Sequence, residues 1–246
     1  MTALIMAGGY ATRMYPLTLH RPKALLPVQG KPILTWIVED LSATRRVQRI
    51  VVVTNAKFGA AICEWAQGFP QVDVLTTESD REGNRKGAIA DAVWAIDMLK
   101  LQDDVLILAA DNLLEDSLGV LLAAFRNSGC RHVCVFSYPE ADPNRLSKTG
   151  VADIVNGEIV HFSEKPASPR YQNAIPPYYI YPQSTIRMIK DALKTGCCPD
   201  SPGYMIEWLY SRVPIKATEM SGHRYNCGSL EGYEHARSTY PGILYR

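Results

Sequence analysis

The most constraining feature of this chain is its opening, where the apolar run Ala3-Leu4-Ile5-Met6 passes into Ala7-Gly8-Gly9-Tyr10-Ala11-Thr12-Arg13. The segment Arg21-Pro22-Lys23-Ala24-Leu25-Leu26-Pro27-Val28 follows shortly after. A buried strand ending in a glycine-rich turn is a phosphate cradle. Glycine lets the backbone approach a ligand closely and adopt positive φ, so that consecutive N–H groups converge on anionic oxygens. Arg13 adds a planar fork that meets phosphate oxygens in two places, and Lys23 adds a point charge from a neighbouring segment. Together they imply a polyphosphate site. The turn has neither the lysine of a P-loop nor a G-x-G-x-x-G fingerprint, so both common nucleotide folds lose ground.

Downstream, β-branched runs alternate with helical patterns. The pattern predicts strands at 3–6, 49–54, 72–76, 104–109, 132–137, 158–162 and 178–181, and helices at 33–41, 58–67, 88–99 and 118–127. Such alternation predicts an α/β fold with a mostly parallel, doubly wound sheet. Ligands of such sheets collect outside the carboxyl ends of the strands, where both the Gly8-Gly9 turn and the turn at Asp111 fall. With 246 residues and 47% hydrophobic content, the chain can bury its core as a single domain, 1–246.

The net charge of +1 gives no bulk electrostatic reason for a nucleic-acid or membrane partner. The six cysteines contain no C-x-x-C pair, and no signal peptide or bilayer-length apolar run is present. A cytoplasmic location is the expectation. Cys130, His132 and Cys134 could be drawn as metal ligands, but the run Val133-Cys134-Val135 reads as a buried strand whose thiol is inert.

Asp111 ends the apolar run 105–110, where an Asp-Asn pair serves equally as a turn former or as a hard oxygen ligand for Mg²⁺. On the residues alone, Glu164-Lys165-Pro166 is a solvated turn or a substrate contact, and 82–92 is a polar loop before a capped helix or a ligand-binding loop.

Met6-Ala7-Gly8-Gly9-Tyr10-Ala11-Thr12-Arg13-Met14, with Pro22-Lys23-Ala24-Leu25-Leu26-Pro27-Val28 and Gly30-Lys31-Pro32, closely resembles the N-terminal signature of the sugar-phosphate nucleotidyltransferases. These are the NDP-sugar pyrophosphorylases, here in a short form without the C-terminal β-helix domain. Many members carry glycine where this chain has Ala11. The resemblance implies a Rossmann-like, GT-A-like nucleotidyltransferase fold. It also implies nucleotide contacts at Ala7, Gly8, Gly9, Thr12, Arg13, Asn84 and Gly87, with the helix starting at Ala88 turning its amides toward the site. It assigns catalytic roles to Arg13, Lys23, Asp111 and Lys165, and acceptor contacts to Asn112, Glu164 and Lys165. Asp111 becomes the metal ligand for Mg²⁺. The segment Arg224-Tyr225-Asn226-Cys227-Gly228-Ser229 aligns with the family's aromatic-x-Asp-x-Gly-[ST], so that Asn226 stands in place of its second metal aspartate. The segment 199–209 resembles a stretch that shapes the sugar pocket or a dimer contact, with no role carried over to a single residue, and a homo-oligomer is left open.

The activity so implied is transfer of a nucleotidyl group from a nucleoside triphosphate to a sugar 1-phosphate, with release of pyrophosphate. Pyrimidine triphosphates are slightly favoured by resemblance. Three alternatives stand beside it: a cytidylyltransferase acting on a non-sugar phosphate or phosphonate, a glycosyltransferase of similar fold, and a catalytically weak nucleotide sensor. The glycosyltransferase is disfavoured because no Asp-x-Asp follows the 105–110 run, while Asn226 motivates the sensor.

Overall fold

The structure, a computed structural model, describes residues 1–245. In chain order its elements are β1 (Thr2–Met6), β2 (Pro27–Val28), β3 (Lys31–Pro32), α1 (Ile33–Ala43), β4 (Arg49–Asn55), α2 (Gly59–Ala66), β5 (Val72–Thr77), α3 (Ala88–Met98), β6 (Val105–Ala109) and β7 (Asn112–Leu114). There follow α4 (Leu118–Asn127), β8 (Val133–Pro139), α5 (Pro143–Leu146), β9 (Gly150–Val155), β10 (Glu158–Glu164), β11 (Asn173–Ile175), β12 (Tyr178–Tyr181), α6 (Ile186–Ala192), α7 (Gly203–Leu209), β13 (Ile215–Glu219), β14 (Arg224–Asn226) and α8 (Leu230–Thr239). Every strand and helix expected from the sequence is present, with ends moved by no more than two residues.

One sheet of ten strands runs through the molecule in the order β11-β9-β10-β13-β8-β12-β6-β1-β4-β5. Its central strands β1, β4, β6, β8 and β12 are buried almost throughout because both faces are covered. In β1, Ala3 and Ile5 enter one core while Leu4 and Met6 enter the other; β4 divides Ile50 and Val52 from Val51 and Val53 in the same way. Helices α1, α4 and α8 close the first face through Leu34, Val38, Leu121, Phe125 and Tyr233, and α3, α6 and α7 close the second through Ile89, Ile96, Ile189 and Ile206. Each such side chain contributes about 1.5–3 kcal/mol by leaving water, which is why the period-two split across β1 and β4 holds their register.

The sheet is less parallel than the alternation predicts. Strands β6, β1, β4 and β5 are parallel neighbours, as are β8 and β13. Strand β12 is antiparallel to both β6 and β8, and β9, β10 and β11 form an antiparallel extension. The cause lies in the connections: β9 and β10 are joined by Asn156-Gly157, both at positive φ, a two-residue turn that only an antiparallel hairpin accepts. The parallel quartet is the part that positions the site. It brings the carboxyl ends of β1 and β6 side by side, with Met6 opposite Ala109.

Candidate active site

The turn after β1 is pinned from below. The amide of Ala7 donates to the Val53 carbonyl at 2.7 Å, and Asn55 Nδ2 donates to the Gly8 carbonyl at 2.9 Å. Ala7 is buried, Thr12 half-buried and Arg13 exposed. Among the described residues, no ion pair engages Arg13, so its guanidinium stands at the mouth of the turn with its charge uncommitted. The positive φ expected of the glycines is instead at Ala11, whose φ of 50° opens the 3₁₀ turn Thr12–Met14. Gly8 and Gly9 serve by lacking a side chain. A Cβ on Gly9 would meet nothing within 4 Å, and one on Gly8 would stand 3.3 Å from Asp91 Oδ2.

Asp111 follows β6 after a single residue, Ala110, and its carboxylate is the centre of a tight network. Lys23 Nζ lies 2.5 Å from Oδ2, and Asn112 Nδ2 donates to Oδ1 at 2.6 Å. Burial alone raises the Asp111 pKa, but the Lys23 ammonium and its hydrogen bond, the Arg224 charge and the Asn112 amide outweigh it and hold the carboxyl below its ordinary range. Asn226 reaches this place because β14 pairs with β7, setting it opposite Asn112. Its Oδ1 accepts from the Gly228 amide at 2.9 Å. A Cβ on Gly228 would stand 2.9 Å from Asn226 Oδ1 and 3.4 Å from Asp111 Oδ2, so the two expected metal-ligand oxygens face one point that glycine leaves open.

Asn112 does not line this space. It is buried, its amide is spent on Asp111, its Oδ1 accepts from Arg224 Nε at 2.6 Å, and its carbonyl accepts from the Tyr178 hydroxyl. The side chain of Asn112, expected to meet the acceptor, is engaged at both ends by Asp111 and Arg224.

On the acceptor side, Glu164 ends β10 and is buried. Its Oε1 accepts from the Ser201 hydroxyl at 2.6 Å, while among the described residues Oε2 has no hydrogen-bond partner. Two glycines make room for that oxygen: a Cβ on Gly203 would overlap the carboxylate, and one on Gly150 would stand 3.1 Å from Oε2. Burial raises the Glu164 pKa, with the Ser201 hydrogen bond and the Lys165 charge opposing. Lys165 sits at a φ of 47°, and its Nζ donates to Ser201 Oγ at 3.0 Å. Arg224 joins the two halves, donating through Nη1 to the Tyr138 hydroxyl at 3.1 Å and to Thr149 Oγ1 at 3.0 Å, while the Thr149 carbonyl holds the Lys165 amide. Nothing in the segment 224–229 marked Arg224 before its contacts were visible.

The loop before α3 differs from expectation. The first amides of α3 do not point into the site: Ala88 N donates to the Asp200 carbonyl and Ile89 N to the Pro199 carbonyl, each at 2.9 Å. Gly87 is required at its φ of 105° because a Cβ would overlap the Pro199 carbonyl, so its bare Cα serves packing against 199–200. Asn84 is exposed, and its side chain is engaged by Ser79, Asp80 and the Arg81 amide.

Among the described residues, no three His, Cys, Asp or Glu side chains gather as a metal-binding group, and no helix is long and apolar enough to cross a membrane. Cys134 is buried in β8, and Cys130 is exposed.

Comparison with known proteins gives these features a context. The nucleotidyl transferase family model matches residues 2–200. The UTP–glucose-1-phosphate uridylyltransferase of Haloferax volcanii is 30% identical over 183 residues, covering 74% of this chain and 72% of that protein. A Sulfolobus acidocaldarius protein with the provisional name mannose-1-phosphate guanyltransferase is 30% identical over 169 residues, 69% of this chain but only 45% of its own length. Among solved structures, UDP-glucose pyrophosphorylase with UDP-glucose superposes with a TM-score of 0.78 at 21% identity, covering 97% of each chain, which establishes the shared GT-A-like fold. The signature at 6–32, the match over 2–200 and the common fold agree: the chain belongs to the nucleotidyl transferase family, among the sugar-phosphate nucleotidyltransferases.

Proposed function

We propose that the protein transfers a nucleotidyl group from a nucleoside triphosphate to a sugar 1-phosphate, releasing pyrophosphate. The observation that carries this reading is the pairing, around one sheet end, of a phosphate-suited turn with a second site built for a hydroxylated anion. Among the described residues Glu164 Oε2 is a buried carboxylate oxygen with no hydrogen-bond partner, an acceptor that a sugar hydroxyl reaching it would satisfy, and Lys165 stands beside it with a charge suited to the attached phosphate. The relatives named for glucose 1-phosphate and mannose 1-phosphate support a hexose 1-phosphate as acceptor.

In this mechanism an acceptor phosphate oxygen attacks the α-phosphorus in line, the bond to the β-phosphate bridging oxygen breaks, and pyrophosphate leaves with that electron pair. No protein nucleophile is needed, because such chemistry depends on alignment and charge neutralisation. Gly8 and Gly9 leave the backbone open to the triphosphate, Arg13 neutralises the departing pyrophosphate, Lys23 turns toward phosphate, and Lys165 aligns the acceptor. The hard oxygens of Asp111 and Asn226, facing one open point, suit Mg²⁺, which would be held there by these two residues and would neutralise phosphate charge.

A sensor that binds both substrates without turnover is favoured by one observation, the neutral Asn226 beside an Asp111 already paired with Lys23. Pyrophosphate release from triphosphate and hexose 1-phosphate separates the readings: release that Asp111→Ala abolishes supports transfer, and binding without release supports the sensor.

A further inference from the structure

We propose that Ser201 is a positioning residue that holds Glu164 and Lys165 in register for the acceptor. The proposal rests on the nucleotidyl-transfer reading above for what the acceptor is. The geometry is a short relay: Lys165 Nζ donates to Ser201 Oγ at 3.0 Å, and the Ser201 hydroxyl donates to Glu164 Oε1 at 2.6 Å. The direct separation of Lys165 Nζ from Glu164 Oε1 is 3.7 Å, too long for a hydrogen bond, so the serine oxygen is what ties the two together. A hydroxyl suits this place because it donates and accepts at once, which no apolar side chain of its size does.

Ser201 can act as a fixed support because its own backbone is anchored on both sides. The carbonyls of Pro199 and Asp200 accept from the first amides of α3, Asp200 pairs with Arg85 at 2.7 Å, and the Ser201 carbonyl accepts from Tyr204 as α7 begins. Gly87 admits this close approach, and α7 packs on β10, which carries Glu164.

The relay also decides which Glu164 oxygen is free. With Oε1 taken by Ser201, only Oε2 remains, in the gap left by Gly150 and Gly203. Loss of the hydroxyl lets the carboxylate rotate and lets the Lys165 ammonium swing out on its flexible stem.

Two measurements test this with Ser201→Ala, and Ser201→Cys as companion should the alanine shift the unfolding transition. First, steady-state kinetics with triphosphate and hexose 1-phosphate should show kcat/KM for the acceptor falling about tenfold or more, while KM for the triphosphate stays within about twofold. Second, ¹³C NMR of labelled glutamate carboxyls, with Glu164 assigned by its absence in Glu164→Gln, needs no turnover. Burial and Glu207 oppose the charged form, and Ser201, Lys165 and Arg224 favour it. Removing Ser201 should therefore move the Glu164 midpoint up. An unmoved midpoint, or equal losses for both substrates, overturns the proposal. Silence of the wild-type enzyme with every substrate pair overturns the nucleotidyl-transfer reading instead, and the titration still decides the role of Ser201.

Discussion

Lys23 Nζ lies 2.5 Å from Asp111 Oδ2, so the cation expected to meet phosphate and the carboxylate expected to meet a metal are each other's partners before substrate arrives. The Lys23 ammonium favours the ionised Asp111 carboxyl in a partly shielded place. The folded Asp111 pKa is depressed, so its contribution to stability is full above the unfolded carboxyl value and is lost as pH falls through the folded value. Lys23→Met should raise the Asp111 pKa, move the acid-unfolding midpoint to higher pH, and cost about 1–3 kcal/mol at neutral pH, between the surface and fully buried cases. Circular dichroism against pH, compared with wild type, checks the sign.

A Cβ added at Gly203 would overlap the Glu164 carboxylate. Gly203→Ala should force Glu164 aside, destabilising the fold by about 1–3 kcal/mol and raising KM for the acceptor more than KM for the triphosphate. Thermal unfolding and a two-substrate kinetic matrix measure both effects.

Ala11 holds a left-handed conformation at φ 50° without being glycine. That conformation costs a non-glycine residue about 1–2 kcal/mol, partly offset by the greater entropy glycine loses on folding. Ala11→Gly should therefore stabilise the protein by about 0.5–1 kcal/mol, read as a higher denaturant midpoint. A lower midpoint would mean that the Ala11 methyl packs more strongly than its backbone is strained.

Arg224 lowers the pKa of both Asp111 and Glu164 and ties Asn112 to Thr149. Arg224→Met should lower turnover and move the acidic limb of the pH–rate profile to higher pH, since both carboxyls then ionise later. A lower rate with an unmoved limb would limit Arg224 to packing.

Thiol reactivity offers a check on burial. Cys63, Cys130 and Cys198 are exposed, whereas burial pushes Cys134 and Cys197 up to about 11 and Cys227 up to about 12. An aromatic disulfide reagent at mildly alkaline pH should find three fast thiols in the native protein and the other three only on unfolding.

The elements that sequence made legible are those whose burial is uniform or periodic. Strand β1 and the 105–110 run announce themselves because both faces are covered, and the glycine turn between a strand and Arg13 carries its chemistry in residue type alone. Strand direction left no such trace, since an apolar run such as β12 reads the same either way, and β12 runs antiparallel to β6 and β8 only because the chain reverses earlier, at the turn between β9 and β10. The β9–β10 hairpin did carry a signal in Asn156-Gly157, visible in hindsight as turn chemistry rather than as strand pattern. Asp111, Glu164 and Lys165 were readable from motifs. Ser201 and Arg224 were not, because serine and arginine gain their roles from partners 36 to 112 residues away.

The most direct test of nucleotidyl transfer is Mg²⁺-dependent pyrophosphate release from a grid of UTP, dTTP, CTP, GTP and ATP against hexose 1-phosphates and phosphocholine. The prediction is release with at least one hexose 1-phosphate, abolished by Asp111→Ala and by Lys165→Ala. Silence across the hexose 1-phosphates, while a triphosphate still raises the unfolding temperature, would contradict it.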